Sequence, residues 1–94
     1  MFIKIHKNFG NEIIAVCDED LIGKTIEDKK MKITITERFY KGEKKSSTEI
    51  ISILKEAKNA NLVGKETIKL AIDNNLIKKE NVIKIKNIPH AQIF

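Results

Sequence analysis

Apolar and polar residues alternate from Met1 to Lys7, with Met1, Ile3 and Ile5 on one face and Lys4 and His6 on the other. A period of two predicts a half-buried strand. Asn8-Phe9-Gly10-Asn11 carries turn chemistry, because Gly10 and Asn11 both tolerate positive φ. Glu12 to Cys17 is apolar on both faces and rich in β-formers, so it predicts a central strand hairpinned to the first. Asp18-Glu19-Asp20 leaves that strand, placed to cap a single helical turn through Leu21 and Ile22. Alternation returns from Lys30 to Thr36 and turns Met31, Ile33 and Ile35 inward. Glu37 to Lys45 reads as a polar connection pinned by Phe39 and Tyr40 and turned at Gly42.

The periodicity then becomes helical. Ser46 and Glu49 stand at capping-box spacing and open a helix with Ile50, Ile51, Leu54 and Ala57 on one stripe. That helix ends near residues 59–64, the joint to a second helix. The second carries Ile68, Ala71 and Ile72 inward and stops at Asn74-Asn75. Val82 to Lys86 predicts the last strand, followed by the segment Asn87 to Phe94. The expected order is β-β-β-α-α-β, with no β-α-β rhythm and no internal repeat. The expected fold is therefore α+β: a small, mainly antiparallel sheet with two helices packed on one face.

Composition narrows the class. Ninety-four residues, 41% hydrophobic and 33% charged with one proline and four glycines, suit one folded domain over residues 1–94 and exclude a disordered tail or a fibre. A chain of this size buries roughly 65% of its unfolded surface, enough for a modest core without staples. The lone Cys17 excludes an internal disulfide framework and suits a reducing, cytoplasmic setting. The longest apolar run, Ile13 to Cys17, has five residues, far short of a membrane span, so no membrane partner is expected. Lys4 and Lys7 interrupt the N-terminal stretch, which is not patterned as a signal peptide.

The net charge of +5 favours an anionic partner. Seventeen of the 18 basic residues are lysine, however, and only Arg38 is arginine. Base-specific reading by bidentate guanidinium contacts is therefore disfavoured. Neither half of the chain is a strongly charged arm: residues 1–48 hold ten basic and eight acidic side chains, residues 49–94 eight and five.

Several segments recur together in a recognisable order. They are Cys17-Asp18 with Leu21 and Gly23-Lys24-Thr25, Phe39-Tyr40 with Gly42, Ala60-Asn61-Leu62-Val63-Gly64, and Ile88-Pro89-His90-Ala91-Gln92. In that order they resemble the archaeal family known as domain of unknown function 424, across essentially the whole chain. Asn75 departs from the family's usual glycine and Ile88 from its valine, both mild changes. The resemblance implies a small archaeal cytosolic α+β protein and carries over no catalytic residue.

Gly23-Lys24-Thr25 has the ending of a phosphate loop, but the glycine required five residues earlier is Asp18, inside an acidic run that would repel phosphate. A turn with Gly23 at positive φ is the expectation. Pro89 makes Pro89-His90-Ala91-Gln92 a stiff, extended peptide. If it continues the last strand, Lys84, Lys86, His90 and Gln92 share a basic face able to meet phosphate and bases. The competing reading is that His90 and Gln92 satisfy backbone groups and anchor the tail. Asn61 and Gly64 fit the helix joint as a side-chain cap and a special-φ glycine, or else a docking loop with Leu62 and Val63 exposed. Lys41, Lys44 and Lys45 read as a solvated loop, with phosphate contact as the sharper alternative. His6, Cys17 and His90 lie on different expected strands without metal-ligand spacing, so no metal and no cofactor is expected. Cys17 is expected to be a buried, inert thiol and not the partner of His90 in a nucleophilic pair.

These residues predict a binding module associated with RNA or a ribonucleoprotein, in translation or ribosome assembly, with Lys84, Lys86, His90, Gln92, Asn61 and Gly64 as its candidate binding residues. A protein-interaction adaptor, with Ile93-Phe94 as anchors, is the alternative. A small-ligand binder or enzyme centred on His90 is the third. No catalytic residue is assigned, and the oligomeric state is left open.

Overall fold

The computed structural model describes residues 1–8 and 10–94. Strand β1 (Phe2–Asn8) pairs antiparallel with β2 (Asn11–Cys17), Ile3 facing Val16 and His6 facing Ile13. The turn expected at Asn8-Phe9-Gly10-Asn11 includes a residue, Phe9, that lies outside the described residues. A 3-10 turn, Glu19–Leu21, follows, then a small separate hairpin of β3 (Thr25–Glu27) and β4 (Lys32–Thr34). Next come the short helix α1 (Glu37–Tyr40), β5 (Glu43–Lys44) and α2 (Ser47–Glu56). The chain continues through β6 (Ala60–Val63), α3 (Lys65–Asp73), a second 3-10 turn at Lys79–Asn81, β7 (Ile83–Ile85) and β8 (Ile88–Ile93).

The main sheet is six-stranded in the order β5-β1-β2-β6-β8-β7. β2 and β6 run parallel, Val16 opposite Leu62, so the sheet is mixed. The α+β class stands, and four of the five pairings in the main sheet are antiparallel, but the expected element order does not hold. Three segments account for the difference. Residues 60–63 were expected to be a helix joint and are instead a strand at the centre of the sheet, buried on both faces. A parallel strand is reached only through a long crossover, here everything from the first 3-10 turn to α2, and no local pattern announces it. The Lys30–Thr36 strand shrinks to β4 and pairs outside the main sheet, which leaves Met31 exposed rather than inward. The expected tail is β8, returned onto β7 by the two-residue turn Lys86-Asn87. Both turn residues have positive φ, 50° and 68°.

Two clusters hold the layers. Val16, Ile50, Leu54, Leu62, Ile68, Ala71 and Ala91 join α2 and α3 to one sheet face. Cys17, Leu21, Ile35, Tyr40, Val63 and Ile85 fill the other, under α1 and the β3–β4 hairpin. Both faces are thus covered, not one. Helix α2 opens with the expected capping box: Ser46 Oγ accepts from the Glu49 amide while the Ser46 amide donates to Glu49 Oε1, each at 3.3 Å. Asn75 takes the left-handed conformation after α3, φ 58°, as its sequence suggests.

Candidate functional site

Antiparallel pairing through the Lys86-Asn87 turn sets Lys84 opposite Pro89 and Ile83 opposite His90. Lys84 therefore shares a face with Pro89, while His90 and Gln92 lie on the other face of the sheet. The expected common face of Lys84, Lys86, His90 and Gln92 does not exist, because the hairpin reverses the phase between residues 85 and 88. Lys86 sits at the turn itself, beside Asp28. That carboxyl is held below its ordinary value first by the Lys30 and Met31 backbone amides, with Lys86 adding to them.

On the helix side, a groove of about 590 Å³ runs between α3 and the β7–β8 hairpin. Ile68, Ile72, Val82 and Pro89 give it an apolar floor, and Lys65, Lys69, Lys79 and Lys84 stand around it. Lys69 pairs with Asp73 at 2.6 Å, whereas Lys65, Lys79 and Lys84 have no acidic partner among the described residues. Pro89 sits in an interior strand without cost to the ladder. It lies beyond the end of β6, and only its carbonyl is needed there, accepting the Gly64 amide at 2.9 Å.

On the opposite side, Gln92 pairs with Asn61 across the β6–β8 ladder, and Gln92 Nε2 donates to Asn61 Oδ1 at 2.9 Å. Asn61 is thus a strand residue bonded to Gln92, not a helix cap. Leu62 and Val63, weighed as docking contacts, are wholly buried. His90 is half-buried, its Nδ1 is enclosed without a hydrogen-bond partner among the described residues, and burial pulls the imidazole below its ordinary pKa of 6.5. Val63 stands between His90 and Cys17 in the ladders. Two strand spacings, roughly 10 Å, therefore separate the thiol from the imidazole. Burial lifts the Cys17 thiol to about 12, with Asp18 adding to it, so the pair lacks both reach and a thiolate.

Gly64 does have its special conformation, φ 115°, and it occupies the N-cap position of α3. With no side chain there to cap, the helix is capped from β2's end. Asp18 Oδ1 accepts from the Thr67 amide and hydroxyl, both at 2.8 Å, and Oδ2 accepts from the Glu66 amide at 3.0 Å. Asp18 was expected to cap the turn that follows it, and it makes no such bond. A Cβ on Gly64 would overlap the Asp18 carboxylate.

The remaining candidates resolve as supports. Gly23 has φ 84° in a turn, and no long helix follows it. Lys41 pairs with Glu37, Lys44 with Glu19, and Lys45 with Glu43 and Glu49, so these lysines serve ion pairs within the chain. Tyr40 is buried, and Phe39 stacks on His6, whose Nε2 donates to the Phe39 carbonyl at 2.8 Å. Among the described residues no group of His, Cys, Asp and Glu gathers as a metal site, and no helix is long and apolar enough to cross a membrane.

A family model described as "Protein of unknown function (DUF424)" matches residues 6–94. The chain belongs to that family. Among solved structures, an uncharacterized conserved protein from Methanopyrus kandleri is similar in fold, with a TM-score of 0.79 at 24% identity. The likeness covers 98% of this chain and 88% of that one. No curated protein matches the chain.

Sequence reasoning missed Lys65, Lys69 and Lys79. Lys65 and Lys69 lie four apart on α3, a visible stripe, but their convergence with Lys79 and Lys84 depends on where the hairpin folds back. It missed Asp18 as a cap for α3, because the two lie on elements 48 and 49 residues apart.

Proposed function

We propose that this protein binds RNA, free or in a ribonucleoprotein, through the groove between α3 and the β7–β8 hairpin. The observation that carries the reading is the convergence of four lysines on one apolar-floored groove, three of them without an acidic partner. Lys65 adds to it, since a cation at the first position of a helix opposes the helix dipole and is not placed there for stability. Lysines attract phosphate as point charges, and the apolar floor offers contact for sugar or unstacked base. With the single arginine elsewhere, recognition of the strand is expected to be broad rather than sequence-specific.

The test is titration of a labelled single-stranded RNA at several salt concentrations, with the intact chain and with Lys65→Glu/Lys79→Glu/Lys84→Glu. Affinity should fall with salt and the triple variant should lose binding while keeping its circular dichroism. Binding that ignores both salt and the three substitutions would sink the proposal. A ribonuclease-resistant complex in cell extract would favour a protein partner in its place.

A further inference from the structure

Across the sheet from the groove, the same β7–β8 hairpin closes a second concavity of about 290 Å³. Its walls are Asn81, Ile83, His90, Ala91, Gln92 and Phe94, none of them charged. An uncharged lining does not recognise phosphate or a carboxylate, so the ligand chemistry here differs from that of the lysine groove.

Three observations define that chemistry. Enclosed Nδ1 of His90 has no partner among the described residues, and a proton there would be buried with nothing to accept it. The imidazolium, which needs both protons, is disfavoured, in keeping with the pKa lowered by burial. A neutral ring therefore carries its proton, a hydrogen-bond donor, on Nε2, and His90 lines the cavity. Two residues along the same strand face, Gln92 is oriented by its bond to Asn61, which leaves Oε1 free as an acceptor. Around this pair stand apolar walls that are poorly explained by folding: Ile83 is 49% exposed and Phe94 93% exposed.

We propose that this cavity binds a single unstacked nucleobase, with His90 Nε2 donating to it, Gln92 Oε1 accepting from it, and Phe94 and Ile83 against the ring. A base combines what the walls ask for: a neutral planar ring with an acceptor and a donor on one edge and apolar faces that stack on aromatic side chains. The site rests on the RNA reading only for the source of the base. A strand crossing the β7 edge would meet Lys79 and Lys84 on one side and this cavity on the other.

The test uses the full chain, labelled with nitrogen-15, and the four uncharged ribonucleosides, with ribose 5-phosphate as the probe lacking a base. At least one nucleoside should shift the Gln92 side-chain amide and the His90 ring signals, and ribose 5-phosphate should not. Phe94→Ala, at an exposed position that leaves folding intact, should weaken nucleoside binding about tenfold. His90→Ala should do so by a similar factor of about ten through the lost hydrogen bond. Four silent nucleosides, or shifts that survive both substitutions, would overturn the base site. Silent nucleosides beside salt-sensitive RNA binding would remove this site and leave the groove standing. Nucleoside binding without any lysine-dependent RNA binding would do the reverse and name a free nucleoside as the ligand.

Discussion

Asp18 shows how one residue can hold a junction together. Its carboxylate, 6% exposed, satisfies two of the backbone donors orphaned at the start of α3 and the Thr67 hydroxyl as well. Asp18→Ala strips all three of their acceptor and should cost about 3 kcal/mol in urea denaturation. Gly64→Ala should be similarly severe, through positive φ and overlap with the carboxylate. Combined, the two should cost clearly less than their sum, since removing the carboxylate makes room for the added methyl; strict additivity would refute the contact. Cys17 supplies a pH dependence. Its thiol titrates near 9.0 in the unfolded chain and near 12 in the fold. The folded state thus keeps its proton longer, and the stability linked to it, complete below pH 9, drains as pH rises toward 12. The slope is about 1.4 kcal/mol per pH unit for one proton. Cys17→Ala should remove one proton's worth of that alkaline slope, and the native thiol should resist alkylating reagents until the chain unfolds.

At the scale of elements, the β7–β8 hairpin decides which side chains meet. A two-residue turn with both φ values positive is the type I′ geometry that suits the twist of a hairpin and favours Asn-Gly. Lys86-Asn87 matches that preference at neither position, although Asn87 tolerates the left-handed conformation. Lys86→Asn with Asn87→Gly should therefore stabilise the chain by about 1 kcal/mol, read as a rise of roughly 4–8 °C in Tm. An unchanged or lower Tm would mean that the approach of Lys86 to Asp28 outweighs the turn strain. The elements that were legible in the sequence are those whose signal is local. β1 and β2 carry alternation and an apolar run, α2 carries its capping box, and α3 its apolar stripe and Asn stop. Helix α1 had a local signal too: Thr36 caps it by accepting from the Phe39 amide at 3.1 Å. Its four residues were too few to show a helical period.

Over the whole molecule, charge is the property that the fold redistributes. Five lysines close intrachain ion pairs or, like Lys4 on the Arg38 carbonyl, a backbone contact. The other twelve make no such contact among the described residues, and Lys65, Lys79 and Lys84 are the three of them that stand around one groove. Each lysine that contacts phosphate should contribute about 0.7 to the slope of log affinity against log salt for single-stranded RNA. Replacing Lys84 alone by Gln should reduce the slope by roughly that amount, and Lys41→Gln should leave it unchanged. The residues alone determined the class: the strand and helix periods, the capping box and the buried character of Cys17 are written in neighbouring positions, and the excess of lysine and the family resemblance in the chain as a whole. Pairing decided the rest. β6 became a strand because β2 and β8 flank it, Asp18 became the cap of α3 because β2 ends there, and the hairpin turn parted Lys84 from His90. The first two depend on residues distant in the chain finding one another, and the hydrophobic and hydrogen-bond free energy that selects such pairings belongs to the assembled core; the third depends on which two residues of a short segment take the turn.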